Sequence, residues 1–223
     1  MSYQVVLLSG KQGSGKSTIQ KEIERALRRT SFNCIHTINF ADILYEMHDS
    51  VLKALNKWHK YETKKDGKLL QVLGTEWGRN ILGTNIWVHV LQSRIQKITQ
   101  FHPPQTNHLF VVGDCRFRNE FNAFSDALRV RLEAPADLRK IRTTSWREGT
   151  EHPSEVDLDG FALEGKFDMY LNTLGELTPE GCASLILAKL QKNNWKEKRN
   201  EPKENREETS EGIKLSPETT TQI

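Results

Sequence analysis

The sequence predicts an α/β domain in which a parallel sheet is covered by helices on both faces. Two observations carry this: short apolar runs alternate with stretches of helical periodicity, and a glycine-rich loop joins the first apolar run to the first helix. Tyr3 to Ser9, with Val5-Val6-Leu7-Leu8 at its centre, reads as a buried strand. Ser17 to Arg29 reads as a helix, with Ile19, Ile23, Ala26 and Leu27 at helical spacing. Cys34 to Phe40 is a second strand, and Asp42 opens a helix to about Leu55. The 57–68 stretch is hydrophilic, with Lys57, Lys60, Lys64, Lys65 and Lys68 around Asp66-Gly67. Helices are expected over Leu69 to Leu82 and Asn85 to Thr99, separated by Gly83-Thr84. His108 to Val112 is a third strand, closed by Gly113-Asp114. A helix over Asn119 to Phe124, a strand over Leu128 to Leu132 and a helix over Ala136 to Trp146 follow. Phe167 to Leu171 is a short strand. Pro179 to about Lys192 is the last helix, with Thr178 as its cap and Pro in its first turn.

The chain of 223 residues has room for one good-sized domain with a tail. The domain is expected to span 1–192. From 193 to 223 the residues are polar and of mixed charge, with almost nothing to bury, and disorder is expected there. No run approaches the ~18 apolar residues of a membrane span. Met1-Ser2-Tyr3-Gln4 leads straight into the first strand, so a soluble intracellular protein without a signal peptide is expected. A net charge of +3 is too small to argue for nucleic acid. Of the three cysteines, Cys34 and Cys182 read as small core residues and Cys115 as a packing thiol.

Gly10-Lys11-Gln12-Gly13-Ser14-Gly15-Lys16-Ser17 is a complete G-x-x-x-x-G-K-[ST] phosphate loop. A strand delivers the chain to it and a helix leaves it, so backbone N–H groups converge on one point. Gly10, Gln12, Gly13, Ser14, Gly15, Lys16, Ser17 and Thr18 are the expected nucleotide-binding set. Lys16 should reach the β- and γ-phosphates, and the Ser17 hydroxyl should ligand Mg²⁺. Asp114 ends a buried strand, where its carboxylate would emerge at the carboxyl edge of the sheet and hold Mg²⁺ or its waters. The block Asp114-Cys115-Arg116-Phe117-Arg118-Asn119-Glu120 reads as a substrate or phosphate contact surface.

Arg139, Arg142 and Arg147 recur after Pro135, and on a helix Arg139 and Arg142 share a face. Mobile arginines over a γ-phosphate would stabilise its transfer, and Gly149 would let the segment move as a lid. Gln71, Thr75 and Arg79 are four apart and stack on one helical face, suited to a monophosphate and a base edge. Trp87 either stacks on a base or packs in the core, the commoner fate. His152-Pro153-Ser154-Glu155 has neither a nucleophile elbow nor a third member, so hydrolase chemistry is rejected and a loop or cap role expected.

Taken together, these pieces resemble the phage-type deoxynucleoside monophosphate kinases, a branch of the P-loop kinases. The matching segments are Gly10 to Ser17, Phe40-Ala41-Asp42, Leu73-Gly74-Thr75-Glu76 with Arg79, Val112 to Glu120, His152 to Glu155 and Asn172 to Leu177, spread over about residues 3–190. The resemblance implies a P-loop kinase-type sheet, an arginine-bearing lid at about 136–155 and a helical acceptor-binding region at about 42–99. It further implies ATP as phosphoryl donor, Mg²⁺, a deoxynucleoside monophosphate as acceptor, and a cytoplasmic location (the host's, if phage-encoded). Asp42, Gln71, Thr75, Glu76, Arg79, Arg116 and Asn119 would face the acceptor. Arg139, Arg142 and Arg147 would form the lid, with Lys16 and Asp114 at the reacting group. The 56–68 stretch does not match the pattern, which leaves base preference open. No membrane or nucleic-acid partner is expected, and a homodimer is compatible. The residues alone also admit a P-loop kinase of another small acceptor, such as phosphomevalonate. They admit too a nucleotide-dependent nucleic-acid-binding module using the 57–68 lysines and the rings of Trp58, His59 and Tyr61.

Overall fold

The computed structural model describes residues 2–26, 30–58, 65–143, 153–175 and 177–197. Its centre is a five-stranded sheet in the order β2-β3-β1-β4-β5, with every neighbouring pair parallel. The strands are β1 (Ser2–Ser9), β2 (Cys34–Ile38), β3 (Asn107–Val112), β4 (Leu128–Glu133) and β5 (Met169–Asn172). Strand side chains alternate between the two faces, and here both faces are apolar. Val5 and Leu7 of β1 join Phe110 and Val112 of β3 on one face. There they pack on Val88, Leu91 and Ile95 of α4 (Ile86–Gln100), with Phe121 of α5 (Arg118–Phe121) and Phe161 of α8 (Asp159–Leu163). Val6 and Leu8 face the other way with Leu109 and Val111. They meet Ile19 and Ile23 of α1 (Lys16–Arg25) and Cys182, Ile186 and Leu190 of α9 (Pro179–Glu197). Each such side chain contributes about 1.5–3 kcal/mol by leaving water, so β1 is held where it is.

From β1 the chain passes to the edge strand β2, returns through β3 beside β1, and then crosses to β4 on the other side of β1. The loops leaving β1 and β3 therefore part around a crevice at the carboxyl edge, the place where open α/β sheets bind ligands. The expected fold class is the one observed. Among the described residues, no helix is long and apolar enough to cross a membrane.

Several element boundaries differ from expectation. The helix expected over Leu69–Leu82 is split into α3 (Gly67–Gln71) and a π-helix over Val72–Leu82. The Asp66 carboxylate starts α3 by accepting from the N–H groups of Lys68 and Leu69 at 2.9 and 3.0 Å. In the π-helix the backbone bonds reach one residue further than in an α-helix, a form that is rare and clusters at functional sites. Trp87 is buried and donates from Nε1 to the Gly74 carbonyl at 2.8 Å, which settles it as a packing residue. The helix opening at Ala136 ends at Ile141 (α6, Ala136–Ile141), and the last part of its expected span, 144–146, lies outside the described residues. The helix after β3 is the short α5, not Asn119–Phe124. The last helix runs past Lys192 to Glu197, so the expected boundary at 193 falls inside it. The remainder of the expected tail, 198–223, is outside the described residues.

Gly78 lies against the Trp87 ring so closely that a Cβ there would overlap Trp87 Cζ2 and stand 2.8 Å from the Leu73 carbonyl oxygen. Gly78→Ala is expected to destabilise the fold by about 1–3 kcal/mol through overpacking, read as a lower urea midpoint at unchanged slope.

Candidate active site

The loop after β1 turns through three glycines with positive φ: Gly10 at 147°, Gly13 at 79° and Gly15 at 92°. At Gly10 a Cβ would run into the Leu132 carbonyl and stand 2.6 Å from Ser14 Oγ, so close approach as well as φ requires glycine. Among the described residues, the N–H groups of Gly13, Gly15, Lys16 and Ser17 have no backbone acceptor. They point the donor end of α1 at the cleft, and buried Ser14 Oγ has no hydrogen-bond partner among the described residues. The Lys16 ammonium donates to the carbonyls of Gly10 and Lys11 at 2.6 and 3.0 Å. Burial first, and the nearby Arg116 guanidinium second, lower its pKa to about 8. This is a nest for phosphate with an under-stabilised cation beside it.

A carboxylate already sits on the nest. Glu155 Oε2 accepts from the Gln12 N–H at 2.9 Å, and its other oxygen takes the Arg116 guanidinium at 2.5 Å. Glu155 reaches the loop from α7 (Pro153–Val156), and Ser154 Oγ also accepts from Arg116 at 3.3 Å.

At the end of β3, the two Asp114 oxygens accept the N–H groups of Phe40 and Ala41 at 2.8 and 2.9 Å. Burial pushes its pKa up against those two bonds. Each oxygen keeps a lone pair, and the Ser17 hydroxyl is exposed in the same cleft. One carboxylate and one hydroxyl beside a phosphate nest fit Mg²⁺, which takes few protein oxygens and keeps waters and phosphate oxygens as its other ligands. Asn39 closes the turn: its Oδ1 accepts from Gly113 N at 3.0 Å, and it donates to both Asp42 oxygens at 2.8 and 3.0 Å. Asp42 begins α2 (Asp42–Asn56) and lines the cleft.

The cleft has a volume of about 1540 Å³. Single-ligand pockets run to about 1,000 Å³, so there is room for two ligands side by side. One end runs from the loop past Arg142 and Thr143 to Gly175, Leu177 and Thr178. The other is walled by Asp42, Tyr45, Gln71, Thr75, Arg79 and Phe117. Lys16, Thr18 and Arg116 stand between. Arg79 stacks over the Phe117 ring at 4.0 Å and pairs with buried Glu120 at 2.6 Å. Glu120 also accepts from the Arg116 and Phe117 N–H groups at 2.8 and 3.1 Å. Burial, with Asp114 nearby, still raises its pKa to about 7.

Several of the expected residues lie off the cleft lining or outside the described residues. Arg139 does not share the cleft with Arg142: it donates to the carbonyls of Ala134 and Gln12 and lines a separate cavity of about 390 Å³ with Lys11, Ser14 and Arg131. Arg142 instead donates to Thr173 Oγ1 and the Thr173 carbonyl at 3.0 and 2.8 Å. The two side chains part because each is claimed by a different acceptor beside the loop. Asn119 donates to the Thr84 carbonyl and Asn85 Oδ1, tying α5 to the start of α4 and lying outside the cleft lining. Glu76 is exposed and off the cleft, on a different side of the π-helix from Thr75. Arg147 and His152 lie outside the described residues. Cys115 is buried, with its thiol pKa pushed well up by burial, as a packing thiol should be.

Sequence reasoning placed Glu120 in a contact surface without its own role, gave the segment with Glu155 a loop or cap role, and missed Arg131. Arg131 is buried in β4, pairs with Asp159 at 2.6 Å and donates to Ser9 Oγ at 3.3 Å, behind the phosphate loop. Its signal was present: arginines alternate in the apolar run Leu128-Arg129-Val130-Arg131-Leu132, and a charge inside a buried strand needs a reason.

No protein-family model and no curated protein matches the chain. Solved structures with a similar chain course include shikimate kinase from Aquifex aeolicus, 16% identical over 86% of this chain and 99% of that one, TM-score 0.46. The tunicamycin resistance protein of Deinococcus radiodurans is 15% identical over 85% and 96%, TM-score 0.47. The Mycobacterium tuberculosis APS kinase, solved with AMPPNP and APS, is 15% identical over 85% and 98%, TM-score 0.44. Likenesses this distant carry nothing about what the present chain acts on.

Two outcomes follow from the charges. Glu155→Gln removes a negative charge from the nest and is expected to tighten ATP binding by about 1 kcal/mol, about fivefold in Kd by calorimetry; unchanged or weaker binding contradicts that reading. Lys16 has a folded pKa below the unfolded value of 10.5, so the unfolded chain holds more protons between pH 8 and 10.5. Its contribution to stability therefore rises with pH through that window, by up to about 3 kcal/mol, and Lys16→Met should lose that rise in urea unfolding.

Proposed function

We propose that the chain is a P-loop nucleotide kinase that transfers the ATP γ-phosphoryl group to a deoxynucleoside monophosphate, giving a deoxynucleoside diphosphate and ADP. The observation that carries the reading is the single cleft joining the phosphate nest to a second, hydrogen-bonding wall, with Lys16 and Arg116 at the junction. The nest takes the donor triphosphate, with Gln12, Gly13, Gly15, Lys16, Ser17 and Thr18 around it and Gly10 and Ser14 shaping the turn. The donor base lies toward Arg142, Thr173 and Leu177. Gln71 and Thr75 read the acceptor base or sugar, the exposed Tyr45 ring offers a stacking face, and Asp42, Arg79 and Arg116 surround the acceptor phosphate.

An acceptor phosphate oxygen attacks the γ-phosphorus in line, the bond to the β,γ-bridging oxygen breaks, and ADP leaves with the electron pair. Lys16 gives up the Gly10 and Lys11 carbonyls for phosphate oxygens, which restores the charge that burial disfavours. Arg116 exchanges Glu155 for phosphate in the same way. Ser17 and Asp114 would hold Mg²⁺, which supplies further neutralisation of the phosphate oxygens. Arg147 is retained as a lid arginine. The protein's part is positioning and electrostatics. The setting is cytoplasmic.

The test is ADP formation from Mg·ATP with dAMP, dGMP, dCMP, dTMP and the ribose counterparts, with Lys16→Met as blank. Turnover with a deoxy acceptor supports the proposal. Turnover only with a non-nucleotide acceptor, or DNA-stimulated ATP hydrolysis, overturns it. Gln71→Ala is expected to raise the acceptor KM about tenfold and leave the ATP KM unchanged, as loss of one acceptor hydrogen bond predicts.

A further inference from the structure

At the opposite end of the same strands lies a cluster the phosphate site does not use. Cys34 and His36 are two apart on β2, so their side chains leave the same face of the sheet. His108 on β3 is the register partner of Cys34. His36 Nε2 stands 3.0 Å from His108 Nδ1, and a ligand atom from each of Cys34, His36 and His108 lies within 4.8 Å of the others. His102, just beyond the carboxyl end of α4, sets its ring edge-on to His108 with centroids 4.8 Å apart. Its Nδ1 is 2.8 Å from the Ile98 carbonyl oxygen, which can only accept. That contact places a proton on His102 Nδ1 and holds the ring as a wall of the cluster.

We propose that Cys34, His36 and His108 form a site for Zn²⁺, with a water as the fourth ligand. Zn–N bonds of about 2.0–2.1 Å at tetrahedral angles put two ligand nitrogens about 3.3 Å apart, close to the spacing of His36 and His108. On binding, the ring that carries the proton between His36 Nε2 and His108 Nδ1 shifts it to its other nitrogen, so both facing nitrogens can ligate, and the Cys34 thiol releases its proton to solvent. One thiolate with imidazoles is a borderline-soft set that selects Zn²⁺ over Mg²⁺, so the ion of the phosphate cleft does not compete. β2 is an edge strand, and the ion would fasten it to β3.

The experiment is titration of the full, tag-free chain with Co²⁺, followed by displacement with Zn²⁺. One equivalent is expected to give a thiolate-to-cobalt charge-transfer band and the intense visible bands of a tetrahedral ion, both removed by one equivalent of Zn²⁺. Cys34→Ser should abolish the charge-transfer band, and His36→Gln should weaken binding by about tenfold or more. Both residues are only half-buried, so these variants are suited to remain folded, which far-UV circular dichroism in EDTA verifies. Absence of the band in the folded wild type, or its persistence in folded Cys34→Ser, overturns the proposal. The Lys16→Met protein should bind Co²⁺ as the wild type does, because the two sites lie at opposite edges of the sheet.

Discussion

The cleft depends on one carboxylate. Asp114 ends β3 and takes the N–H groups of Phe40 and Ala41, the two residues that turn the chain from β2 into α2. A buried carboxylate in a low-dielectric edge is costly unless hydrogen-bonded, and these two bonds, with Arg116 nearby, offset that cost. The same bonds set where α2 begins, and so place Asp42 and Tyr45 on the wall of the cleft. Gln20 of α1 adds a second tie by donating to the Val111 carbonyl at 2.8 Å and the Ile38 carbonyl at 3.3 Å. The ends of β2 and β3 and the start of α1 are thereby laced into one frame around the phosphate loop.

Within that frame the charges compensate one another. Lys16 rests on loop carbonyls, Arg116 is paired with Glu155, and Arg79 with Glu120. A cation left alone in such a place would carry a desolvation penalty of several kcal/mol, so the free protein keeps its cations occupied with its own oxygens. An incoming phosphate offers the same chemistry with more charge. In the proposed function, binding is an exchange of partners among groups already aimed at one point, which is what electrostatic preorganisation requires.

Both edges of the sheet draw on a single rule, the alternation of side chains along a strand. At the carboxyl edge it lets the apolar faces of β1 and β3 hold two loops apart. At the amino edge it brings Cys34, His36 and His108 to one face, where β2 has no further strand beside it. Residues so far apart in sequence meet there only because β2 and β3 are neighbours and α4 ends above them.

The fold class and the glycine-rich loop were legible because they rest on local patterns: apolar runs of strand length, helical periodicity and a motif whose glycines are required by φ and close approach. The split of the third helical stretch into α3 and a π-helix was not, because the α- and π-forms share the same residue pattern and the packing of Gly78 on Trp87 is a tertiary contact. Spacing likewise put Arg139 and Arg142 on one helical face, whereas Thr173 just beyond β5, the Gln12 carbonyl of the loop and the Ala134 carbonyl drew them apart. What the sequence determined by itself is the order of elements and the chemistry of the loop, since both follow from neighbours along the chain. Only the tertiary structure decided which cations pair with Glu155 and Glu120, and which histidines surround Cys34, because long side chains choose partners by where the packed backbone delivers them.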